Sequence, residues 1–196
     1  MSIPLDELKA VRRRELRDRR RAFDAALRPA AALAAAGHAL SAPGLARARA
    51  VAVFRGIRDE IDTGPLIGSL LAAGRIVLLP RILGRGQPLD FHAWRPGEPL
   101  EEVAMGVLQP PAASPRLFPD LVIAPLLGFD LRGFRLGYGG GFYDRTLAML
   151  RRDRPTPAIG FGFEPQRLDE VPVGPFDQRL DQVATEVALH DCHGRD

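Results

Sequence analysis

Short runs of consecutive apolar residues constrain the fold of this 196-residue chain more than any other feature. The runs are AVAVF at 50–54, IVLLP at 76–80, LVIAP at 121–125 and AIGFGF at 158–163. A strand that is apolar at every position must be covered on both faces, as strands of a parallel sheet are. Segments 65–73 and 142–151 between these strands are predicted helices. The alternation predicts an α/β fold with a largely parallel sheet flanked by helices in Rossmann-like layers.

The remaining elements follow from weaker patterns. The first is an amphipathic N-terminal helix over about 5–27, with a shared apolar face formed by Leu5, Leu8, Leu16, Phe23 and Leu27. A second short helix is predicted between the prolines at 29 and 43, and strands at 89–94 and 183–189. The length fits a single domain over 1–196, with residues 190–196 expected to fray.

Composition places the chain among ordinary globular proteins, because 46% of its residues are hydrophobic and 26% are charged. A single cysteine, Cys192, excludes an internal disulfide, and the first residues lack the order of a secretory signal. No apolar run approaches the roughly 20 residues of a membrane helix. We therefore expect a cytoplasmic monomer that does not bind membranes.

The stretch RLGYGGGFYDR, residues 135–145, is hard to explain by packing. Its consecutive glycines expose backbone N–H groups before a predicted helix, where the helix dipole favours anions, so it predicts a phosphate cradle. It is not a P-loop, which needs Gly-Lys-Ser/Thr, nor a dinucleotide fingerprint, because Phe142 stands at the third glycine position. A tight strand-to-helix turn without a ligand remains the alternative.

Two carboxylates are candidate metal ligands. In a parallel sheet, ligands bind beyond the carboxyl ends of the strands, where DEIDT, the glycine loop and GFEPQ are expected to meet. Asp144 lies beside the predicted cradle, where phosphate would repel it unless a divalent metal bridged the two. Asp177 is the second candidate. Each could instead be a turn or helix-start aspartate.

Positive charge is concentrated at the N-terminus, where the first 28 residues carry nine cationic and five acidic side chains. Arginine supplies every Lys or Arg cation of the chain except Lys9, which is a candidate for a site that a guanidinium would not fit. A lone lysine that occurs by chance is the equal alternative. A basic helix could bind nucleic acid. The interleaved Glu15 and Asp18 favour ion pairs within the helix instead.

Taken together, these motifs resemble the 5-formyltetrahydrofolate cyclo-ligase family over nearly the whole chain. RLGYGGGFYDR is similar to the family's ATP-binding signature, and PLLGFD precedes it as in the family. DEIDT, followed by PLI and GRIVLLPRI, matches the family's first half in order and spacing. Lys9 and Arg13 fit its Lys-x-x-x-Arg element, and VLQPP resembles its Gln-Pro or Glu-Pro element.

The resemblance implies an ATP- and Mg²⁺-dependent ring closure of 5-formyltetrahydrofolate to 5,10-methenyltetrahydrofolate, in which the formyl oxygen is phosphorylated and phosphate then leaves. The residues that it implies for ATP binding are Lys9, Arg13, Arg135, Gly137, Tyr138, Gly139, Gly140, Gly141, Phe142, Tyr143 and Arg145. Of these, Arg135, Tyr143 and Arg145 are the expected catalytic residues. It further implies Asp144 and Asp177 as Mg²⁺ ligands, and Arg55, Glu60, Met105 and Gln109 as folate-binding residues.

The chain departs from the family pattern at three positions. Phe142 replaces the first tyrosine of a common Tyr-Tyr pair, Arg55 stands where an apolar residue is usual, and Met105 replaces an aromatic residue. These changes put the fit of the substrate in doubt. Two other functions stay open: a phosphate-handling enzyme of similar architecture with another substrate, and a non-catalytic module that binds nucleic acid through the first helix.

Overall fold

The computed structural model describes residues 3–103 and 106–192. Its α-helices are α1 (Leu5–Ala22), α2 (Arg28–Leu40), α3 (Pro43–Arg47), α4 (Gly64–Ala72) and α5 (Phe142–Asp153). Its strands are β1 (Ala50–Val53), β2 (Ile76–Ile82), β3 (Leu89–Ala93), β4 (Glu101–Val103), β5 (Val107–Gln109), β6 (Leu121–Pro125), β7 (Gly128–Phe129), β8 (Arg135–Leu136), β9 (Ala158–Phe161), β10 (Gln182–Ala184) and β11 (Leu189–Asp191). None of the helices in the described ranges is both long and apolar enough to cross a bilayer.

Seven of these strands form one sheet in the order β11-β10-β9-β6-β1-β2-β3. The strands from β10 to β2 are parallel, and the two edge strands are antiparallel to their neighbours. Every residue of β1 and of β9 is buried, as expected for strands covered on both faces. The predicted α/β fold with a largely parallel sheet is confirmed. The strand order reverses direction between β1 and β6, which is where such sheets open a crevice for ligands.

The helices form layers on both faces of the sheet. Alanines of α2 and apolar side chains of α4, such as Leu66 and Leu70, pack on one face against Val51 and Ile123. Leu147 and Leu150 of α5 lie in the apolar cluster on the other face. Both faces of the sheet are therefore covered, as its apolar strands require.

Helix α1 lies outside these two layers. Only Leu16 and Arg20 of α1 are buried, and Leu16 sits in a small cluster with Leu127, Leu136 and Val171. The cluster joins α1 to the β7–β8 hairpin, which follows β6. Gly128 permits this approach, because a Cβ at that position would lie 2.6 Å from Leu16 Cδ1.

The N-terminal helix ends earlier than predicted. It stops at Ala22, and Phe23 has an extended conformation with φ −62° and ψ 125°. The ring of Phe23 stacks on Phe163 with centroids 4.4 Å apart, which removes it from the helical face. Asp24 then starts a turn by accepting the N–H of Ala26 at 2.9 Å, and Leu27 is exposed. Aromatic packing therefore replaces the last helical turn.

The predicted strand 183–189 is wrong, because it is two antiparallel strands, β10 and β11, joined by a turn. Thr185 forms this turn: its hydroxyl accepts hydrogen bonds from the N–H groups of Val187 and Ala188, both at 3.3 Å. His190 and Asp191, expected to fray, pair with β10. The short β4–β5 and β7–β8 hairpins were not predicted.

Leu16→Ala tests how α1 is held. Leu16 is 0% exposed, so its truncation should lower the free energy of α1 opening by about 2–5 kcal/mol, through lost burial and the cavity left behind. Amide hydrogen exchange along α1, combined with urea unfolding, measures this loss. Val11→Ala on the exposed side of α1 is the matched control and should change stability by less than about 0.5 kcal/mol. Equal effects of the two changes would contradict this account of α1 docking.

Candidate active site at the carboxyl edge of the sheet

The loops that follow β1, β6 and β9 meet at the carboxyl edge of the sheet, as predicted. The β1 and β6 loops are joined by a hydrogen bond from the Tyr138 hydroxyl to Glu60 Oε1 at 2.7 Å. The β6 and β9 loops are joined by an isolated bridge between Phe129 and Arg167. The three loops therefore border one region, which includes the reversal of strand order between β1 and β6.

The glycine loop ends directly at a helix N-terminus. Gly139 has φ 101°, and Gly141, with φ 63°, is the N-cap residue of α5. These values lie in the left-handed region that glycine tolerates best. The first N–H groups of a helix have no acceptor within it, so the loop presents donors at the positive end of the α5 dipole. This geometry favours an anion.

Helix α1 reaches the carboxyl edge of the sheet through two cations one turn apart. Arg13 Nε donates to the carbonyl oxygen of Gly137 at 2.9 Å, and its guanidinium lies beside Gly139. Lys9 Nζ pairs with Asp177 Oδ2 at 2.5 Å. The folded chain thus places Arg13 at the predicted phosphate cradle and Lys9 at the turn that contains Asp177, each beside a residue more than a hundred positions away.

Asp144 and Asp177 are tied to the same turn. Asp144 Oδ1 accepts hydrogen bonds from Arg135 Nη2 and from the N–H of Gln178, both at 3.0 Å. Asp177 Oδ2 accepts from Gly174 N–H at 2.7 Å as well as from Lys9. Each carboxylate is therefore held by a cation on one oxygen.

These carboxylates fit a Mg²⁺ ion that also binds phosphate. Within the described ranges no group of three or more His, Cys, Asp or Glu side chains is arranged to hold a metal. Mg²⁺ does not need such a cage, since it is commonly bound by one or two carboxylates together with substrate phosphates and water. Asp144 Oδ2 and Asp177 Oδ1 receive no hydrogen bond from the described residues, which leaves one oxygen of each for a metal.

Arg145 and Phe142 close over the glycine loop. Arg145 Nη2 donates to the carbonyl oxygen of Gly140, and the guanidinium lies 5.7 Å from the centre of the Phe142 ring. The aromatic face at position 142 is therefore used, although the hydroxyl of the family's tyrosine is missing. Arg145 Nε is buried without a hydrogen-bond partner among the described residues, so the side chain retains a free donor.

Four polar residues, Arg20, Asp59, Glu60 and Tyr138, form what we call the Arg20 cluster. Arg20 donates to both carboxylate oxygens of Asp59, from Nε at 3.0 Å and from Nη2 at 3.1 Å, and Nη2 also donates to the Tyr138 hydroxyl at 2.8 Å. Burial raises the pKa of Glu60, although hydrogen bonds from the Ile57 N–H and from Tyr138 oppose the rise. The cluster fixes Glu60 between α1 and the glycine loop.

Tyr143 lies near the same cluster. Burial raises the pKa of the Tyr143 phenol well above its ordinary value, and the charge of Glu60 adds to the rise. Burial likewise raises the pKa of Tyr138, again with a contribution from Glu60. Both phenols therefore remain protonated at neutral pH, and each can donate a hydrogen bond.

A narrow cavity, with no room for a water molecule in this arrangement of side chains, lies between the ends of β1, β6 and β9. Its lining residues are Arg20, Phe54, Glu60, Ile61, Pro125, Leu126, Phe161 and Gln166. The walls are mostly apolar, with Arg20, Glu60 and Gln166 as the polar groups. Such a composition is typical of sites for small organic ligands, and admission of one requires the side chains around this cavity to move apart.

Other predicted folate-binding residues lie elsewhere. The guanidinium of Arg55 lies over the Trp94 ring, 5.3 Å from its centre. Gln109 is buried, and its Oε1 accepts the N–H of Ile82 at 3.0 Å, so it holds β5 to the end of β2. Neither lines the cavity, and Met105 lies outside the described residues.

The sequence prediction missed Arg20 and Asp59. A signal was present, since Lys9, Arg13, Leu16 and Arg20 follow spacings of four, three and four residues, which place them on one face of a helix. Two of these residues were already assigned to the site. The position of Arg20 on their face therefore predicts that it points the same way as they do.

Comparison with known proteins supports the interpretation of this edge. The sequence profile of the 5-formyltetrahydrofolate cyclo-ligase family matches residues 6–186. The chain is similar to 5-formyltetrahydrofolate cyclo-ligase of Escherichia coli strain K12, with 34% identity over 181 residues, 87% of this chain and 96% of that protein. The Mus musculus 5-formyltetrahydrofolate cyclo-ligase is 25% identical over 196 residues, 94% of this chain and 97% of that protein.

The fold is also similar to a solved structure. The NMR structure of Aquifex aeolicus 5,10-methenyltetrahydrofolate synthetase superposes with a TM-score of 0.79 at 25% identity. The alignment covers 96% of this chain and 94% of that chain. The two structures therefore share their fold over almost the whole chain.

Asp59→Asn tests the electrostatics of the Arg20 cluster. Burial opposes ionisation of Asp59, but the hydrogen bonds and charge of Arg20 outweigh it and lower the pKa of Asp59. A lowered folded-state pKa stabilises the fold above the ordinary carboxyl pKa, and this stabilisation disappears as the pH falls through the folded value. We expect Asp59→Asn to cost about 1–3 kcal/mol at neutral pH, and the cost to shrink in acid.

Urea unfolding of the Asp59→Asn variant and the unaltered protein, from neutral pH to below about pH 4, measures this difference. Asp18→Asn is the matched control, because Asp18 is exposed and lies 3.8 Å from Arg21 in an i,i+3 pair. It should change stability by no more than about 0.5 kcal/mol across the range. A cost for Asp59→Asn that does not depend on pH would contradict the assignment.

Proposed function

The chain belongs to the 5-formyltetrahydrofolate cyclo-ligase family, and we propose that it converts 5-formyltetrahydrofolate to 5,10-methenyltetrahydrofolate with ATP and Mg²⁺, releasing ADP and phosphate. The observation that carries the proposal is the contact of α1 with the glycine loop. Arg13 meets Gly137 there, at the N-terminus of α5, and the Glu60 cavity opens at the same edge of the sheet. The proposed phosphate loop and the proposed organic pocket thus lie at one edge of the sheet.

In the proposed reaction, the formyl oxygen attacks the γ-phosphorus of ATP, and ADP leaves. N10 of the folate then attacks the activated formyl carbon, phosphate departs with the former formyl oxygen, and loss of the N10 proton completes the ring. Phosphoryl transfer of this kind depends chiefly on positioning and on neutralising charge. No protein nucleophile is needed.

The residues of the glycine loop and α1 supply the positive potential. We assign Lys9, Arg13 and the N–H groups of the glycine loop to the phosphates of ATP, with Tyr138 and Phe142 beside them. Arg135 and Arg145 act on the transferring group, and the protonated Tyr143 donates a hydrogen bond to it. Support comes from the contact of Arg13 with Gly137, from the free Nε of Arg145 and from the raised pKa of Tyr143.

We assign Mg²⁺ to Asp144 and Asp177, since each keeps a carboxylate oxygen free of hydrogen bonds from the described residues. When bound, Mg²⁺ neutralises charge on the phosphates. The residues' own part is an exchange of partners. With Mg²⁺ bound, Asp177 and Asp144 would hold the metal, and Lys9 and Arg135 would be released from them to bind the phosphates.

Folate binding is assigned first to Glu60, because its carboxylate lines the cavity between the strand ends. Arg55 and Gln109 remain proposed contacts for parts of the substrate outside that cavity, together with Met105. Arg55 follows β1 directly and Gln109 bonds to the end of β2, so both belong to the same edge of the sheet. We further propose that the enzyme acts as a cytoplasmic monomer.

The nucleic-acid alternative is disfavoured by the direction of the basic side chains on α1. Lys9, Arg13 and Arg20 turn inward to Asp177, the glycine loop and Asp59. On the outer face, Arg12 pairs with Glu15 at 2.8 Å. Five of the eight cations of α1 are thus engaged, three inside the protein and two in surface ion pairs, whereas Arg14, Arg17 and Arg19 are exposed.

The direct test mixes purified protein with 5-formyltetrahydrofolate, ATP and Mg²⁺ and follows the near-ultraviolet absorbance of the methenyl product. We expect product formation that requires all three additions and that releases one phosphate per ring closed. ATP hydrolysis without product would point to a related enzyme with another substrate. The absence of any ATP-dependent product would refute the proposal.

Asp144→Asn tests the metal assignment. The amide keeps an oxygen for the Gln178 N–H but loses the charge that Mg²⁺ requires, so kcat/KM should fall by about 100-fold or more, with a higher Mg²⁺ requirement. Asp153→Asn, at the exposed C-terminal end of the same helix, is the control and should keep ordinary activity. Thermal unfolding of both variants checks that the fold is retained. Near-normal turnover in Asp144→Asn would remove it from the site.

A further inference from the structure

One nitrogen of the Arg20 guanidinium has no hydrogen-bond partner among the described residues. Nε and Nη2 are fixed by Asp59 and Tyr138. Nη1 is buried, and among the described residues none accepts a hydrogen bond from it. The Arg20 side chain is only 3% exposed, so water does not freely satisfy this donor. Because an unpaired buried donor of a charged group is costly, an acceptor from outside the fold is expected there.

The neighbour of this nitrogen is an acceptor. Arg20 Nη1 lies 3.8 Å from Glu60 Oε1, and both side chains line the cavity at the strand ends. Glu60 Oε1 accepts from Tyr138, and Oε2 accepts from the Ile57 N–H. A carboxylate has about four lone-pair positions, so Glu60 can accept further hydrogen bonds. The cavity wall thus presents a donor beside an acceptor.

We propose that Arg20 Nη1 and the Glu60 carboxylate read the amide edge of the substrate's pterin ring, with Arg20 as a residue that determines specificity. Nη1 donates to the ring carbonyl, and Glu60 accepts from the adjacent ring N–H. The inference rests on the proposed function. It adds to that function a residue, Arg20, and the hydrogen bonds by which the protein would recognise the pterin ring. The rigid guanidinium makes this selective, since two of its nitrogens are held and the third has a fixed direction.

The donor–acceptor pair has a clear chemical consequence. In a 4-amino analogue of the substrate, an amino group replaces the ring carbonyl and presents donors to Arg20 Nη1. Two donors then face each other, and Nη1 stays unpaired. A site that hydrogen-bonds one group of a ligand discriminates strongly against an analogue that cannot make the bond. Arg20 should therefore set the preference between the 4-oxo and 4-amino forms.

The experiment measures binding of 5-formyltetrahydrofolate and of 5-formyltetrahydroaminopterin, its 4-amino analogue, by titration calorimetry without ATP. In Arg20→Met the ratio of the two affinities should fall by about tenfold relative to the unaltered protein. Arg20→Lys is the second variant, in case Arg20→Met does not fold. It keeps a charge opposite Asp59 but cannot also reach the position of Nη1, so the ratio should fall similarly. Arg21→Met, one position along on the exposed side, should keep the ratio.

The ratio of the two affinities distinguishes recognition of the ligand by Arg20 from a purely structural role of Arg20. If Arg20 only docks α1, its loss weakens both ligands by the same factor, and an unchanged ratio in a folded Arg20 variant would overturn this inference alone. The proposed function would still stand if the unaltered protein forms the methenyl product. Failure of the unaltered protein to bind 5-formyltetrahydrofolate would overturn both.

Discussion

The docking of helix α1 across the carboxyl edge of the sheet is the interaction on which the site depends. The helix contributes little apolar surface, since Leu16 is its one buried hydrophobic residue. Its other attachments are polar: Lys9 to Asp177, Arg13 to Gly137 and Arg20 to Asp59. All of these partners lie in loops at the carboxyl edge. The position of α1 and the shape of the loops are therefore set by the same contacts, and a ligand that changes one must change the other.

Both proposed metal-binding carboxylates of the site pair with cations of the chain itself. Lys9 neutralises Asp177 and Arg135 neutralises Asp144, so two cations and two carboxylates form two pairs. In the proposed exchange of partners, Lys9 and Arg135 would bind phosphate and the two carboxylates would bind Mg²⁺. A triphosphate with Mg²⁺ still carries net negative charge, which Arg13 and Arg145 would offset, and this pairing would limit the electrostatic cost of binding. This explains how carboxylates can sit beside a loop built for anions.

The sequence predicted most of the sheet because its strands are short apolar runs whose burial has one solution, a sheet covered on both faces. It failed where local contacts decide the structure. VATEVAL looks continuous, but the Thr185 hydroxyl makes a turn within it. The β7–β8 hairpin has strands of two residues, too short for any period to be visible.

In the candidate site, too, the sequence predicted residues with a chemical signature of their own and missed residues whose role depends on their contacts. Glycines, cations and carboxylates with strong chemical signatures were recognised, and the structure brings Lys9, Arg13 and Asp177 together. Arg20 was missed because the net charge of α1 does not distinguish one arginine of the helix from another. Only the face of the helix distinguishes a buried arginine from a solvated one. Asp59 was missed for a related reason: its importance comes from Arg20, 39 residues away in the sequence.

The β7–β8 hairpin, which leads into the glycine loop, is held by Asp130, a residue that the motif itself does not include. Asp130 is 0% exposed, and its carboxylate accepts the N–H groups of Arg132, Phe134 and Val171. The same carboxylate pairs with the Arg132 guanidinium at 2.7 Å. These bonds hold the β7–β8 hairpin, and β8 leads directly into the glycine loop.

If this loop binds phosphate as proposed, anchoring on both sides would reduce the conformational freedom lost on binding, so more of the interaction energy would remain for holding the reacting groups. Glycines without such anchors would lose more conformational entropy when a ligand ordered them, because glycine is the most flexible residue type. Asp130 on one side and the N-terminus of α5 on the other limit that flexibility. Gly139 and Gly141 therefore lose conformational freedom when the chain folds, because they adopt the left-handed geometry of the loop before any ligand binds.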